Sequence, residues 1–222
     1  MAIQLQNTNA YESTGINAII YGRAKTEKTR LARTLPNCII MNVEKGLLSL
    51  KGEDIAYADV NTFVEANEFL NAFFASEFEN LFVDSISELA EIELTRIKKG
   101  KPDARQAYGE VQDSVYEFLR KARERPNGIK KNVFVIAKQN KIQDDMGQIT
   151  YYPDLPGKSA NKNLPYIYDG IYCTQTFKDE SGVESIWLQT KVSALYQAGD
   201  RSGKLEPIEP MDLGAMIKKI GG

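Results

Sequence analysis

Histidine is absent from the 222-residue sequence, and cysteine occurs only twice. The first absence excludes metal sites built on imidazole and catalytic triads that need a histidine base. Cys38 and Cys173 both lie in apolar runs, which indicates reduced core residues rather than a disulfide framework. The sequence therefore argues against a histidine-dependent hydrolase and against a disulfide-stabilised secreted domain.

Membrane-length apolar runs and an excess of positive charge are also missing. No stretch has the pattern of a membrane span or a signal peptide, so we expect a cytoplasmic protein. The formal net charge is −2 and the pI is near 5.5, which excludes a globally basic nucleic-acid coat. Any contact with DNA must therefore come from a local patch. Hydrophobic content of 42% and charged content of 26% are ordinary for one large or two small globular domains.

One stretch near the start carries a phosphate-binding pattern. A short apolar run over 16–21 predicts a buried strand, and residues 22–29, GRAKTEKT, follow it with the spacing G-x-x-x-x-G-K-[ST]. Leu31, Ala32 and Leu35 then recur at helical spacing. Such a loop turns backbone N–H groups toward phosphates, and the helix after it points its N-terminus at them. Lys28 would reach the β and γ phosphates of ATP, and the Thr29 hydroxyl would hold Mg²⁺.

Glu27 departs from this pattern, because it stands where the second glycine belongs. A carboxylate about 4 Å from a phosphate charge costs roughly 1 kcal/mol per charge pair in water and about 4 kcal/mol at an effective dielectric of 20. A β-carbon there also restricts the loop. The sequence leaves three alternatives open: weak nucleotide binding, a reshaped loop, or a loop disabled by the substitution.

Further along, apolar runs alternate with helical periodicity up to about residue 140. We predict strands at 38–43, 55–60, 80–84 and 133–137, and helices at 61–75, 85–98 and 106–124. This alternation predicts an α/β fold of three layers with a mainly parallel sheet. The phosphate-binding pattern after its first strand indicates the P-loop NTPase type. Strands at 166–176 and 185–190, a ribbon at 148–152 and a closing helix at 210–220 predict an antiparallel C-terminal extension. Residues 1–14 are predicted to form a tail or an edge strand, and 15–222 the domain.

Three polar residues follow predicted strands and add to the phosphate loop. Asp84 follows three apolar residues, like an acid that holds Mg²⁺ beside Thr29. Glu44 could orient the attacking water, and Gln139 could sense the γ-phosphate. Each has a plainer alternative: a helix N-cap for Asp84, a solvated acid for Glu44 and a polar strand end for Gln139. In parallel sheets ligands sit beyond the carboxyl ends of the strands, so we expect these residues to converge there.

Two basic stretches are candidates for contact with single-stranded DNA. Basic groups follow phosphates, and aromatic rings stack on unpaired bases. The first stretch is a loop near 98–105, and the second is an irregular segment over 141–165. The candidate residues are Lys99, Lys101, Arg105, Lys141, Tyr151, Tyr152, Lys158 and Lys162. Solvated surface charge and an ordered loop remain the alternative interpretation.

Taken together, 22–29, MNVEKGLLSL at 41–50, FVDSISEL at 82–89, VFVIAKQN at 133–140 and AGDRSGKLEP at 198–207 resemble the RecA-like ATPases. The resemblance is greatest to the short phage-encoded proteins associated with single-strand annealing and recombination. It implies binding of ATP and Mg²⁺, with Lys28, Glu44 and Gln139 in catalysis and Thr29 and Asp84 at the metal. It also implies single-stranded DNA, a homo-oligomer and a phage single-strand binding protein as partners. The implied nucleotide contacts are Gly22, Arg23, Ala24, Lys25, Thr26, Glu27, Lys28, Thr29, Arg30 and, in cis or from a neighbouring subunit, Arg201.

The function expected from this resemblance is a DNA-dependent ATPase acting in phage recombination, annealing or replication. Glu27 favours an alternative, a non-hydrolysing module that binds nucleic acid or protein. A small-molecule P-loop kinase is a further alternative, but the 141–165 segment contains no arginine for the lid that such kinases use.

Overall fold

The computed structural model describes residues 7, 14–100, 104–126, 128–156, 163 and 165–221. In these residues the order of elements begins β1 (Asn17–Gly22), a 3₁₀ helix (Lys28–Thr34), β2 (Cys38–Asn42) and a second 3₁₀ helix (Leu47–Leu50). It continues with β3 (Ala56–Asp59), α1 (Phe63–Ala75), β4 (Asn80–Asp84), α2 (Ile86–Lys98) and α3 (Ala104–Arg123). The last part comprises β5 (Asn132–Gln143), β6 (Ile149–Pro153), β7 (Gly170–Lys178), β8 (Glu184–Gln189), β9 (Gly199–Asp200), β10 (Ile208–Pro210) and α4, which covers Leu213–Gly221.

One sheet joins these strands in the order β10-β8-β7-β1-β5-β4-β2-β3. The pairs from β3 across to β7 are parallel, whereas β8 and β10 continue the sheet antiparallel. The predicted α/β class, with a mainly parallel sheet and an antiparallel C-terminal extension, is confirmed. All parallel strands of the sheet end together. We call the end of the sheet where these strands finish the carboxyl edge, and the end where they begin the amino edge.

Successive residues of β1 point to opposite faces of the sheet, and this shows how the sequence builds three layers. Ile19 and Tyr21 belong to the apolar cluster that includes buried residues of α1, α2 and α3. Ala18 and Ile20 belong to the cluster that holds Leu31 of the first 3₁₀ helix and residues of α4. Because both faces of the strand are covered, its residues are apolar without alternation. None of the helices in the described residues is long and apolar enough to span a membrane.

Helix starts follow local sequence signals. Thr62 precedes α1 and its hydroxyl accepts from the N–H of Glu65, as is typical of a helix N-cap. Ser85 does the same for α2 by accepting from Glu88. Both caps hold their helix start directly after a strand or its turn, which fixes how the polypeptide leaves the carboxyl edge.

Three local expectations are corrected. The run after the phosphate loop is a 3₁₀ helix over Lys28–Thr34, although Leu31 and Ala32 are buried as predicted. The 141–165 segment is less irregular than expected, because β5 continues to Gln143 and pairs with β6 as an antiparallel ribbon. Strand β7 begins at Gly170, because residues 165–167 are helical. For the ribbon, pairing with β6 overrode a weak local signal.

Candidate functional site

A cleft of about 1,090 Å³ lies at the carboxyl edge of the sheet. It is lined by the whole loop from Gly22 to Arg30 and by Glu44, Asp84 and Gln139, together with Gly46, Leu48, Ser49 and Lys138. Parallel registers explain the convergence, since β1, β2 and β4 end here and the parallel pairing of β5 with β1 stops here at Lys138. The structure therefore brings together the strand-end residues that the sequence singled out.

Glu27 retains the backbone shape that a glycine would favour at its position. Its φ is 56° and its ψ is 22°, in the left-handed region, and Lys25 also has a positive φ of 63°. A non-glycine residue there costs roughly 1–2 kcal/mol. The Glu27 carboxylate forms an ion pair with Arg30 at 2.6 Å, and both side chains are partly exposed. Arg30 thus offsets the negative charge that Glu27 brings to the loop.

Gly22 is required for a steric reason that the sequence does not reveal. A β-carbon on Gly22 would lie 1.7 Å from the Thr174 hydroxyl oxygen. Thr174, on β7, also shares a hydrogen bond of 2.7 Å with the buried Thr26 of the loop. The loop is therefore supported from below by a strand that lies about 150 residues later in the sequence, since Thr26 and Thr174 are 148 positions apart. No sequence signal identified Thr174, because only the sheet brings the two segments together.

Lys28 lies across its own loop. Its ammonium donates to the carbonyls of Gly22 at 3.1 Å and Arg23 at 2.6 Å. Burial lowers the pKa of Lys28, and the negative charges of Asp84 and Glu44 oppose that shift. A cation held over phosphate-loop carbonyls is well placed to exchange these bonds for bonds to an anionic ligand.

Thr29 and Asp84 form the oxygen pair expected of a Mg²⁺ site. The Thr29 hydroxyl donates to Asp84 Oδ2 at 2.6 Å, and Asp84 is only 3% exposed. Burial raises the pKa of Asp84 to about 6; Glu44 adds to the shift, while Thr29 and Lys28 oppose it. A carboxylate that is costly to ionise gains when a cation arrives, and hydroxyl and carboxylate oxygens suit Mg²⁺. The residues present therefore fit a magnesium ion carried with nucleotide phosphates.

Glu44 and Gln139 both line the cleft. The Ser85 hydroxyl donates to Glu44 Oε1 at 2.5 Å, which ties the exposed glutamate to the residue after Asp84. Gln139 is half-buried, and its Oε1 lies 3.9 Å from the Cys173 sulfur. Lys138, which the sequence analysis did not assign to the site, forms ion pairs with Glu88 and Glu91 beside the cleft.

Arg201 does not reach this cleft within the same chain. It follows β9, which pairs with Gly170 at the start of β7, and the start of β7 adjoins the start of β1. Arg201 therefore lies at the amino edge, where it pairs with Asp169 at 3.0 Å. The predicted nucleotide contact of Arg201 in cis is corrected, because the sheet separates it from the phosphate loop. A contact from a neighbouring subunit stays a prediction.

Two hairpins, the helical pair α2–α3 and the β5–β6 ribbon, project beyond the carboxyl edge. Helix α2 begins at that edge, and Lys98 at its end lies over the Tyr108 ring in the second turn of α3, at 4.7 Å. Helix α3 then returns to the amino edge, because Arg125 just beyond it donates to the Ile16 carbonyl. The tip of this pair, with the exposed Lys99 and Arg105, therefore lies beyond the carboxyl edge. The β5–β6 ribbon extends past Lys138 in the same direction.

The ribbon residues that were predicted to contact DNA differ in how far their side chains are exposed. Lys141 is exposed and Tyr152 is half-buried. Tyr151 stacks on Tyr196 with ring centroids 5.1 Å apart, so one face of its ring is already covered. The predicted contact of Tyr151 with unpaired bases is therefore restricted to the other face of the ring, and it stays a prediction. Lys101, Lys158 and Lys162 lie outside the described residues.

A family model described as an AAA domain matches residues 14–202. No curated protein matches the chain. Among solved structures, the chain is similar to a prototypical ATPase from the type III secretion system of pathogenic bacteria, with 15% identity and a TM-score of 0.48. That match covers 72% of this chain and 51% of the other, so the chain spans about half the length of the solved structure.

Proposed function

The chain belongs to the AAA domain family, and from this premise we propose that it binds MgATP in the carboxyl-edge cleft and hydrolyses it while acting on single-stranded DNA. The observation that carries the proposal is the convergence of Lys28, Thr29, Glu44, Asp84 and Gln139 on one cleft. These five groups belong to or follow four separate strands, so local sequence preference does not explain why they meet. Their chemistry matches what phosphoryl transfer needs: a cation, metal ligands, a base and a polar sensor.

Each residue has a definite task in this reaction. Lys28 leaves the carbonyls of Gly22 and Arg23 and neutralises charge on the transferring phosphoryl group. Thr29 and Asp84 would hold Mg²⁺, which would supply positive charge to offset the negative charge of the nucleotide phosphates. Glu44, oriented by the Ser85 hydroxyl, aligns the attacking water and accepts its proton. Gln139 would contact the γ-phosphate and pass the change to the ribbon that begins beside it.

The DNA part of the proposal is supported by the two projecting hairpins. Lys99 and Arg105 are exposed on the α2–α3 hairpin, and Lys141 is exposed on the β5–β6 ribbon. Both hairpins project beyond the carboxyl edge, where the cleft also lies. Cations there would follow a nucleic-acid backbone, and Tyr152 would meet unpaired bases. By resemblance we place this activity in phage recombination, annealing or replication, in the host cytoplasm. Arg201 of a neighbouring copy and a phage single-strand binding protein are the proposed protein contacts.

Glu27 and Lys28 together favour a second candidate, a module that binds nucleic acid or protein without hydrolysing nucleotide. Glu27 brings a carboxylate to the loop, and Lys28 already satisfies its ammonium with loop carbonyls. In that case the cleft would be vestigial and the hairpins alone would act.

The two candidates are separated by ATP binding and hydrolysis, measured with and without single-stranded DNA. Three proteins are compared: the chain as it is, Glu27→Gly and Glu27→Gln. Glu27→Gln retains the β-carbon and removes the charge, so it separates repulsion from loop shape. We expect MgATP binding by all three and faster, DNA-stimulated turnover by Glu27→Gly. If none of the three binds MgATP, the hydrolase proposal is wrong and the binding module replaces it.

A further inference from the structure

A second cavity lies at the amino edge, at the opposite end of β1 from the phosphate loop. Its volume is about 360 Å³, within the range of small-molecule pockets. Asn17 at the start of β1 lines this cavity, whereas Gly22 at the end of the same strand lines the nucleotide cleft. Because β1 rises about 3.3 Å per residue, the two cavities are separated by nearly the full depth of the sheet.

Positive charge dominates the lining of this amino-edge cavity. Arg123, Arg125, Arg201 and Lys204 line it, against the two carboxylates of Asp169 and Asp200. Both carboxylates have partners within the protein. Asp169 pairs with Arg201 at 3.0 Å, and Asp200 accepts from the Ser202 hydroxyl and from the backbone N–H of Ser202 and Leu205. The cavity therefore carries a local excess of positive charge on a chain whose net charge is −2.

A buried donor in the wall adds an independent requirement. Asn17 is 1% exposed, and its Oδ1 accepts from Arg125 at 3.0 Å. Its Nδ2 has no hydrogen-bond partner among the residues that the structure describes. Buried amide N–H groups are almost always paired in folded proteins. Asn17 lines the cavity, so a bound acceptor could pair with this N–H group.

We propose that this cavity binds a small multivalent anion, a molecule that carries phosphate or several carboxylate groups. The Arg123 guanidinium and the Asn17 amide would donate to its oxygens, since guanidinium groups form strong bonds to both kinds of anion. Tyr172, Ile16 and Ile220 form an apolar part of the wall that can cover a carbon skeleton. The site is separate from the nucleotide cleft, so it does not depend on ATP hydrolysis.

Calorimetric titration of pyrophosphate and of citrate tests the proposal. Both titrations use the full chain with the substitution Lys28→Ala, which is intended to remove phosphate binding at the loop. We expect saturable binding of at least one probe with one anion per chain, and the preferred probe identifies phosphate or carboxylate chemistry. Arg123→Gln, at the exposed end of α3, should weaken binding about tenfold or more, as a charged hydrogen bond is lost.

Lys121→Gln is the matched control, because Lys121 is exposed on the same last turn of α3 and does not line the cavity. Asn17→Asp is a second variant, which keeps an oxygen for Arg125 and replaces the amide donor by a negative charge. It should also weaken binding. The proposal is overturned if neither probe binds the Lys28→Ala chain, or if Arg123→Gln and Lys121→Gln bind alike.

Discussion

Replacing Asp84 by asparagine is expected to stabilise the nucleotide-free chain at neutral pH while weakening Mg²⁺-dependent nucleotide binding. Asparagine keeps the shape of the side chain and an oxygen to accept from Thr29, whose hydroxyl donates to Asp84 at 2.6 Å. What it removes is a carboxylate that is 3% exposed and whose pKa burial raises to about 6. The same charge that costs folding energy is the charge that would attract the metal.

The pKa gives the sign and the size of the effect on stability. An unfolded aspartate titrates near 3.9, so the folded chain holds its proton more tightly and loses stability as the pH rises between about 4 and 6. The cost of the ionised carboxylate is then roughly 3 kcal/mol at about pH 7.5 and about 1 kcal/mol at about pH 4.5. Below both pKa values the cost disappears, because the carboxyl is neutral in both states.

Urea unfolding of both proteins at these two pH values, without Mg²⁺ or nucleotide, measures this cost. We expect the free-energy difference between Asp84→Asn and the parent to shrink by about 2 kcal/mol on acidification. Packing changes contribute equally at both pH values, so the change in the difference isolates the charge. A difference that is independent of pH would refute the argument that burial destabilises the Asp84 carboxylate. Addition of MgATP should then stabilise the parent more than Asp84→Asn.

Three further perturbations test other parts of the structure. Glu44→Gln should keep MgATP binding and lower turnover about 100-fold or more, as measured by phosphate release, because the water loses its base; unchanged turnover would exclude Glu44 from that role. Gly22→Ala should destabilise the chain by about 1–3 kcal/mol, since its β-carbon would meet the Thr174 hydroxyl at 1.7 Å. Gly109→Ala, in α3 with open space around it, should instead stabilise by roughly 0.5–1 kcal/mol; equal effects in urea unfolding would contradict the steric argument. Tyr21→Phe removes a buried hydroxyl that lies within hydrogen-bond distance of the Tyr151 carbonyl on β6, at 3.0 Å, and of the Gln197 carbonyl, at 2.8 Å. It should raise amide exchange in β6 without unfolding β1; unchanged exchange would show that this hydroxyl does not fasten the ribbon.

Sequence patterns predicted the parts of the molecule that depend on local periodicity. Apolar runs identified β1, β2, β4 and β5, and helical spacing identified α1 to α3. The spacing of the loop and the acid at the end of β4 predicted which groups would face a nucleotide. Prediction was poorer for the ribbon and for the start of β7, where pairing between distant strands decides the structure. The contacts of Thr174 with the loop depend on the sheet order and had no local signal.

What the amino-acid sequence determined by itself is the α/β class and the identity of the strand-end residues. Periodicity and a few spaced polar residues are sufficient for this, because parallel strands always end at one edge. Only the tertiary structure decided how Glu27 is accommodated, since its left-handed backbone and its pairing with Arg30 depend on the folded loop. It also decided that Arg201 lies at the amino edge rather than beside the phosphate loop. Side-chain neighbours across a sheet follow from strand order and register, and neither is recorded in any single stretch of sequence.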